Sequence, residues 1–427
     1  MNRELSIFTS NSEQPSEWDQ LADLAVESSE LAEVPFEFLP EEEARRVLRE
    51  TPEESFKVLM RNPPERTIGL SDSEWNVVQA QMDNPENWPA YRRELHERIV
   101  AERLESCDSM SSRLRAKERE RGDPATIYVL RGTCGAGKTT ALRTGDRFPG
   151  VLDEDGQPTG ALSADLMKIP LRNDGLAEGE VSRVSHTQVH QEAGVLNRRL
   201  TQAVHERAMA ARDSGEGYSV VIDKLMCKHQ DIVDVISDAE STERDLRVID
   251  VDVPFELSAV RVLCRTAEGD DPQVPFENVA YSFRNIRTER SKLLMTASTG
   301  GEKSPIRSYE LIVFNPATKK QETVFSAENG HPNGVTGPEA ASMVYQAVSS
   351  PETTEAEISE ARDTVITDEY IDTFIGKYFD ESDEKSMRYA ASTRATLEQF
   401  KGLTLADALD VRCGKKKIAP AESEAAA

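Results

Sequence analysis

Apolar positions change their spacing several times along the chain. Over residues 1–40 they are sparse and follow no period, and the opening MNRELSIFTSNSEQPSEWDQ is dominated by small polar residues, which predicts a flexible leader. Residues 41–122 read as a helical N-terminal extension. PEEEARRVLRE places Pro40 ahead of an acidic first turn, and DSEWNVVQAQM offers Asp72 or Ser73 as a cap. Between Ala90 and Arg121 the residues Leu95, Ile99, Val100, Leu104 and Leu114 make one apolar stripe in a charged segment. That spacing predicts an amphipathic helix, broken near Ser109–Ser112 and stopped by Gly122, Asp123 and Pro124.

From 123 to 329 the period alternates between two and 3.6. ATIYVLRG, GYSVVID, DLRVIDVDVP and SYELIVFNP read as strands, and GALSADLM as a further short one. Helical patterns lie between them, from about Lys138 to Thr144, Ser185 to Arg212, along KHQDIVDVISDAE, and from about Phe255 to Thr266 and Phe276 to Met295. Strands and helices in this alternation predict an α/β fold, a parallel sheet flanked by helices on both faces. Residues 330–413 read as a C-terminal helical region, with helices over 337–349, 354–363, 367–379 and 383–400; 414–427 is a flexible tail.

Charge narrows the partners. The 427 residues carry a net −26, so no broad cationic surface is left for DNA or RNA, and an anionic ligand must be met by a local Arg and Lys cluster. Cys107, Cys134, Cys227, Cys264 and Cys413 are odd in number and without CxxC spacing, which argues against a disulfide framework or a zinc site. No apolar run approaches the ~20 residues of a membrane span.

The chemistry is concentrated in IYVLRGTCGAGKTTALRT. Gly132, Thr133, Cys134, Gly135, Ala136, Gly137, Lys138 and Thr139 match G-x-x-x-x-G-K-[ST] at every fixed position. Glycines let backbone N–H groups close around an anion, and the following helix directs its positive end there. Lys138 is placed for the outer phosphates and Thr139 for a magnesium ion. No NKxD element follows, which disfavours a GTPase.

Two outcomes remain: a switch that hydrolyses its nucleotide, or a kinase with a carboxylate to take a proton from an acceptor hydroxyl. Asp165 in LSADLMKIP is the candidate base; its bland alternative is a helix cap for LMKI. Asp223, ending SVVID, is the candidate for the magnesium shell, with Asp250 and Asp252 as rivals. Arg265, Arg284, Arg287 and Arg290 form a cationic group, in which Arg284 and Arg287 share a helix face; it suits either a moving phosphoryl group or a salt-bridged solvent face. His186 and His190 are four apart, but no third ligand of suitable spacing follows; contact of His190 with an acceptor is the better reading.

In these residues the chain resembles the zeta-toxin family of small-molecule kinases. GTCGAGKTT, with Thr140 as its last residue, is similar to the family's nucleotide loop, and ADLMKIP to its Asp-x-x-Lys segment, which implies Asp165 as catalytic base. VPFELSAVRVLCRTAE and PFENVAYSFRNI resemble the segments carrying two family cations, here Arg265 on ATP and Arg284 on the transferred group and acceptor, with Arg287 beside it. The long leader and the wide spacing between loop and Asp165 resemble more closely the zeta-like effector kinases injected by plant-pathogenic bacteria. That resemblance implies an ATP- and Mg²⁺-dependent kinase of the adenosine-ribose 3′-hydroxyl of NAD. It also implies a small antitoxin- or chaperone-like partner, and a life in the bacterial cytoplasm before delivery to a host cell. UDP-N-acetylglucosamine is the alternative acceptor within the family. A nucleotide-gated binding module without a small-molecule acceptor is the alternative outside it.

Overall fold

The computed structural model of the protein describes residues 80, 82–88, 90–143, 147–148, 150–173, 189–265, 273–299, 304–329, 331–333 and 351–416. The leader, the helices expected in 41–79, the helix expected over 337–349 and His186 lie outside these residues.

Strand β1, Thr126–Gly132, is buried at every position and lies inside a six-stranded sheet. β2 (Val220–Asp223) and β3 (Asp245–Asp252) flank it, and β4 (Ser308–Asn315), β5 (Lys320–Glu328) and β6 (His331–Pro332) continue the sheet in the order 2-1-3-4-5-6. β1 to β4 pair in parallel, whereas β5 and β6 run antiparallel. Parallel strands covered on both faces read as continuous apolar runs, which is why β1 and β2 were legible. β5 was not: its half near the turn is polar and partly exposed, and only Val324, Phe325 and Ala327 are buried.

Successive residues of β1 face opposite layers. Ile127 and Val129 pack with α1 (Ala90–Arg121) and α4 (His190–Asp213). Tyr128 and Leu130 pack in a second cluster with α6 (Phe255–Leu263) and α7 (Phe276–Thr299). The remaining core helices are α2 (Lys138–Arg143), α3 (Ala164–Asn173) and α5 (His229–Ser241).

α1 is continuous, against the expected break at Ser109–Ser112. Ser112 returns its hydroxyl to the carbonyl of Asp108 one turn back (2.9 Å), and Ser111 accepts from the N–H of Ser219 at the start of the sheet (3.0 Å). The serines are thus absorbed by the helix and its neighbour instead of competing with it. Two buried carboxylates fix the helix: Glu192 of α4 receives Arg92 and His96, and Glu118 receives Tyr128 and Ser219.

GALSADLM is not a full strand. Only Leu162 bridges β2: its N–H donates to Val221 and its carbonyl accepts from Asp223, after which the chain turns into α3. The C-terminal segment folds as α8 (Pro351–Asp363), α9 (Asp368–Tyr378), α10 (Glu384–Gln399) and α11 (Leu405–Arg412). Ile358, Phe374, Leu397, Leu405 and Leu409 of these helices belong to the apolar cluster that contains Leu130 and Val260.

Candidate active site

The glycine loop leaves β1 at Gly132 and enters α2 at Lys138. Its conformation is set from outside. The carbonyl of Cys134 accepts from the Ser258 hydroxyl, that of Gly135 from Arg261 (3.1 Å), and that of Ala136 from the Gln321 amide (3.0 Å). In a trans peptide the next N–H points opposite to the carbonyl. Three tethered carbonyls therefore turn the peptide N–H groups the other way. The N–H of Ala136 closes a turn onto the carbonyl of Thr133 (3.2 Å). Ser258 and Arg261 lie on α6 and Gln321 on β5, far away in sequence, and no local motif announces them.

Gly135 has no room for a side chain. Its φ is +71°, and a Cβ there would stand 2.6 Å from the carbonyl oxygen of Ser258. Gly135→Ala is expected to displace the loop from α6 and weaken ATP binding by about 10-fold or more, a strain of about 1–3 kcal/mol. Isothermal titration with ATP checks this; unchanged affinity would mean that the loop tolerates the shift.

Lys138 folds back over the loop, donating to the carbonyls of Gly132 (3.2 Å) and Thr133 (3.5 Å). Its Nζ lies 4.0 Å from Oδ1 of Asp223, and neither side chain is more than about a fifth exposed. Asp223 ends β2 opposite Leu130 of β1, so the loop begins two residues past the strand position that it faces. The backbone bond from Asp223 to Leu162 (3.0 Å) brings the start of α3 to the same edge. Asp165 follows in the first turn of α3, inside the helix and not at its cap. Lys138, Asp223 and Asp165 thus share the carboxyl edge of the sheet, the side on which open α/β sheets bind ligands.

Asp165 and His190 are surrounded by protein on most sides, yet the Asp165 side chain is 48% exposed and His190 is open to solvent. Burial raises the Asp165 pKa, but the ammonium of Lys168, which donates to it at 2.6 Å, outweighs this together with the charges of His190 and Arg265 and lowers it to about 2. Burial, reinforced by Lys168 and opposed by Asp165, lowers His190 to about 4, so its ring is neutral at pH 7. The candidate base, His190 and Arg265 are therefore electrostatic neighbours.

The other arginines are placed differently. Arg284 is ion-paired with Glu355 of α8. Arg287 is buried between Asp252 and Glu357, at 3.1 and 2.6 Å, and its guanidinium covers the Phe283 ring. They do share a helix face, but that face meets α8 instead of an open ligand surface. This corrects the expectation that Arg287 binds the acceptor. Asp250 and Asp252 are likewise occupied: Arg131, Arg290 and Tyr309 surround Asp250, and Arg290 reaches Asp252 at 3.0 Å. All of these side chains are buried, which removes both carboxylates from the magnesium shell.

A magnesium shell in a nucleotide loop needs one hydroxyl and one or two carboxylates, the rest being phosphate and water. Thr139 in the first turn of α2 and Asp223 beside Lys138 fit that donor set. Among the described residues no group of three or more His, Cys, Asp and Glu is arranged to hold a metal ion.

Solved structures share this architecture. A chain of the AvrRxo1-ORF1:ORF2 complex with ATP matches 81% of this chain and 95% of its own length, with 25% identity and a TM-score of 0.67. The fold is that of a zeta-toxin-like P-loop kinase. The complex with sulphate ions gives 25% identity over 81% and 95% with a TM-score of 0.66, and the native complex 27% over 79% and 93% with 0.65. No family model and no curated protein sequence matches the chain. Within this kinase fold the described residues include no helix long and apolar enough to cross a membrane.

Proposed function

We propose that the protein is an ATP- and Mg²⁺-dependent kinase that phosphorylates the adenosine-ribose 3′-hydroxyl of NAD. In this reading it acts as a delivered effector, held beforehand by a small antitoxin- or chaperone-like protein. The observation that carries the kinase reading is Asp165: an ionised, half-exposed carboxylate within charge range of Arg265, on the sheet edge that bears the nucleotide loop. A nucleotide switch has no need of it. ATP and a partner are supported by the structural relatives, which are ORF1:ORF2 complexes, one of them with ATP. NAD rests on the resemblance to effector kinases.

The loop amides and Lys138 hold the donor phosphates, and Thr139 with Asp223 would hold magnesium, which supplies charge neutralisation between them. Asp165 accepts a hydrogen bond from the acceptor hydroxyl. As the hydroxyl oxygen bonds to the γ-phosphorus, the bond to the bridging oxygen breaks, its electron pair leaves with ADP, and the proton passes to Asp165. A loose phosphoryl-transfer transition state puts little charge on the nucleophile, so a weakly basic carboxylate suffices. In this reading Arg265, a charge neighbour of Asp165, neutralises the transferred group, and Arg284 joins it only after releasing Glu355. The neutral His190 ring offers a hydrogen bond to the acceptor.

These charge states fix a pH dependence. Asp165 titrates near about 2 and His190 near about 4, both below their ordinary values. Neither changes state between about pH 6 and 8, so kcat/KM at saturating Mg-ATP should show no limb from them there. A limb near the ordinary histidine pKa that disappears in His190→Gln would contradict this assignment.

The acceptor is tested directly. Purified protein is incubated with ATP and either NAD or UDP-N-acetylglucosamine, and the products are read by mass spectrometry. NAD is expected to gain one phosphoryl group and the sugar nucleotide none; the reverse would move the protein to the other acceptor class.

A further inference from the structure

Helix α6 links the two halves of the site. Its inner face holds the glycine loop through Ser258 and Arg261, and the chain leaving it carries Arg265, the charge neighbour of Asp165. The sheet and loop fix only that inner face. Both ends are contacted by the C-terminal helices, the exit together with Gln273.

At the start of α6, the N–H of Phe255 donates to Glu357 of α8 (3.2 Å). Glu256, in the same turn, accepts from Lys377 and Tyr378 of α9 at 2.8 and 2.7 Å. Just beyond the end of α6, the carbonyl of Arg265 accepts from both Nε and Nη2 of Arg412 of α11, each at 3.2 Å, and from Nε2 of Gln273, ahead of α7, at 2.8 Å. A carboxylate at the positive end of a helix and a guanidinium at the negative end both favour its dipole. Two residues before Arg412, Asp410 accepts the N–H of Phe276, the first residue of α7 (3.2 Å). α11 thus ties the exit of α6 and the entry of α7 together.

We infer that the C-terminal helices are a positioning clamp for catalysis, in which Glu357 and Arg412 set the axial placement of α6 and through it the nucleotide loop and Arg265. Both act through other residues: Glu357 through the Phe255 N–H and Arg287, and Arg412 through the Arg265 carbonyl. The clamp accounts for a C-terminal region whose apolar residues join the cluster of Leu130 and Val260. Its effect on turnover rests on the kinase reading above; its effect on α6 does not.

The test compares the full-length protein with Arg412→Gln, Arg412→Lys and Glu357→Gln. Hydrogen exchange is followed over residues 255–265, alongside kcat, KM for ATP and thermal stability. In Arg412→Gln the amides of residues 260–265 should exchange about 10-fold faster while β1 and α4 are unchanged. kcat should fall about 10-fold with KM for ATP within about twofold, because the loop contacts lie upstream of the released end. Arg412→Lys, which can still donate to the Arg265 carbonyl, should recover most of the rate. Glu357→Gln keeps the shape and loses the charge, and should loosen the first turn of α6 and raise KM for ATP. Unchanged exchange in α6 would overturn the clamp. So would a lowered melting temperature with kcat retained, which describes a merely structural contact. If the wild type transfers no phosphoryl group to any acceptor, the kinase reading fails, and the exchange and ATP-affinity data still decide the clamp.

Discussion

Asp165→Asn is expected to abolish phosphoryl transfer while ATP still binds. The substitution keeps the volume of the side chain and an oxygen for Lys168, which donates to it at 2.6 Å. It removes the negative charge and the ability to accept a proton. General-base effects are worth about 10²–10⁴-fold, and a loss in kcat of that size is expected. ATP affinity should stay within about threefold, because the loop is held by Ser258, Arg261 and Gln321, none of which touches Asp165. One control is needed. Lys168 is 2% exposed, and losing its ionised partner strands a buried ammonium, so the variant should melt at a lower temperature. Calorimetry with ATP and product detection by mass spectrometry on the same folded sample separate the two effects. Turnover at the wild-type rate would remove Asp165 from the mechanism.

Lys138→Ala should lose both binding and turnover. Lys138 is the cation of the loop motif itself, and its Nζ faces two loop carbonyls and Asp223. With the ammonium gone, Asp223 meets the donor phosphates with its repulsion uncompensated. ATP affinity should fall about 10-fold or more and kcat/KM by about 10³-fold, since the charge acts on the ground state and more strongly on the transition state. The contrast is diagnostic: Asp165→Asn separates binding from transfer, and Lys138→Ala does not. Equal ATP affinity in Lys138→Ala and wild type, by titration, would mean that the nucleotide is held elsewhere.

The glycine loop was fully legible in the sequence, because its signal is local: a strand, turn residues and a helix start within eighteen positions. The parallel strands β1 and β2 were legible as apolar runs, and β3 and β4 as short strand patterns interrupted by polar residues. Asp165 was placed at the right edge of the sheet for an incomplete reason, since its segment makes a single bridge and then a helix. The groups that shape the loop were not visible. Ser258, Arg261 and Gln321 are ordinary residues until the fold brings them to its carbonyls. The arginines of α7 show the same limit. Spacing told that Arg284 and Arg287 share a face, but not that Glu355 and Glu357 of α8 would meet it. Nor could alternation along β3 reveal that Asp250 and Asp252 point into a buried arginine network instead of toward solvent or metal.

The account stands on one spatial relation, between the carboxylate of Asp165 and the phosphate held by Lys138. A crystal structure with a non-hydrolysable ATP analogue and NAD measures it. The account predicts the ribose 3′-oxygen within hydrogen-bond reach of Asp165, about 2.6–3.2 Å, and in line with the γ-phosphorus. An acceptor bound away from Asp165, or a carboxylate screened from the γ-phosphate by protein, would contradict it and leave a nucleotide-binding protein without the transfer step.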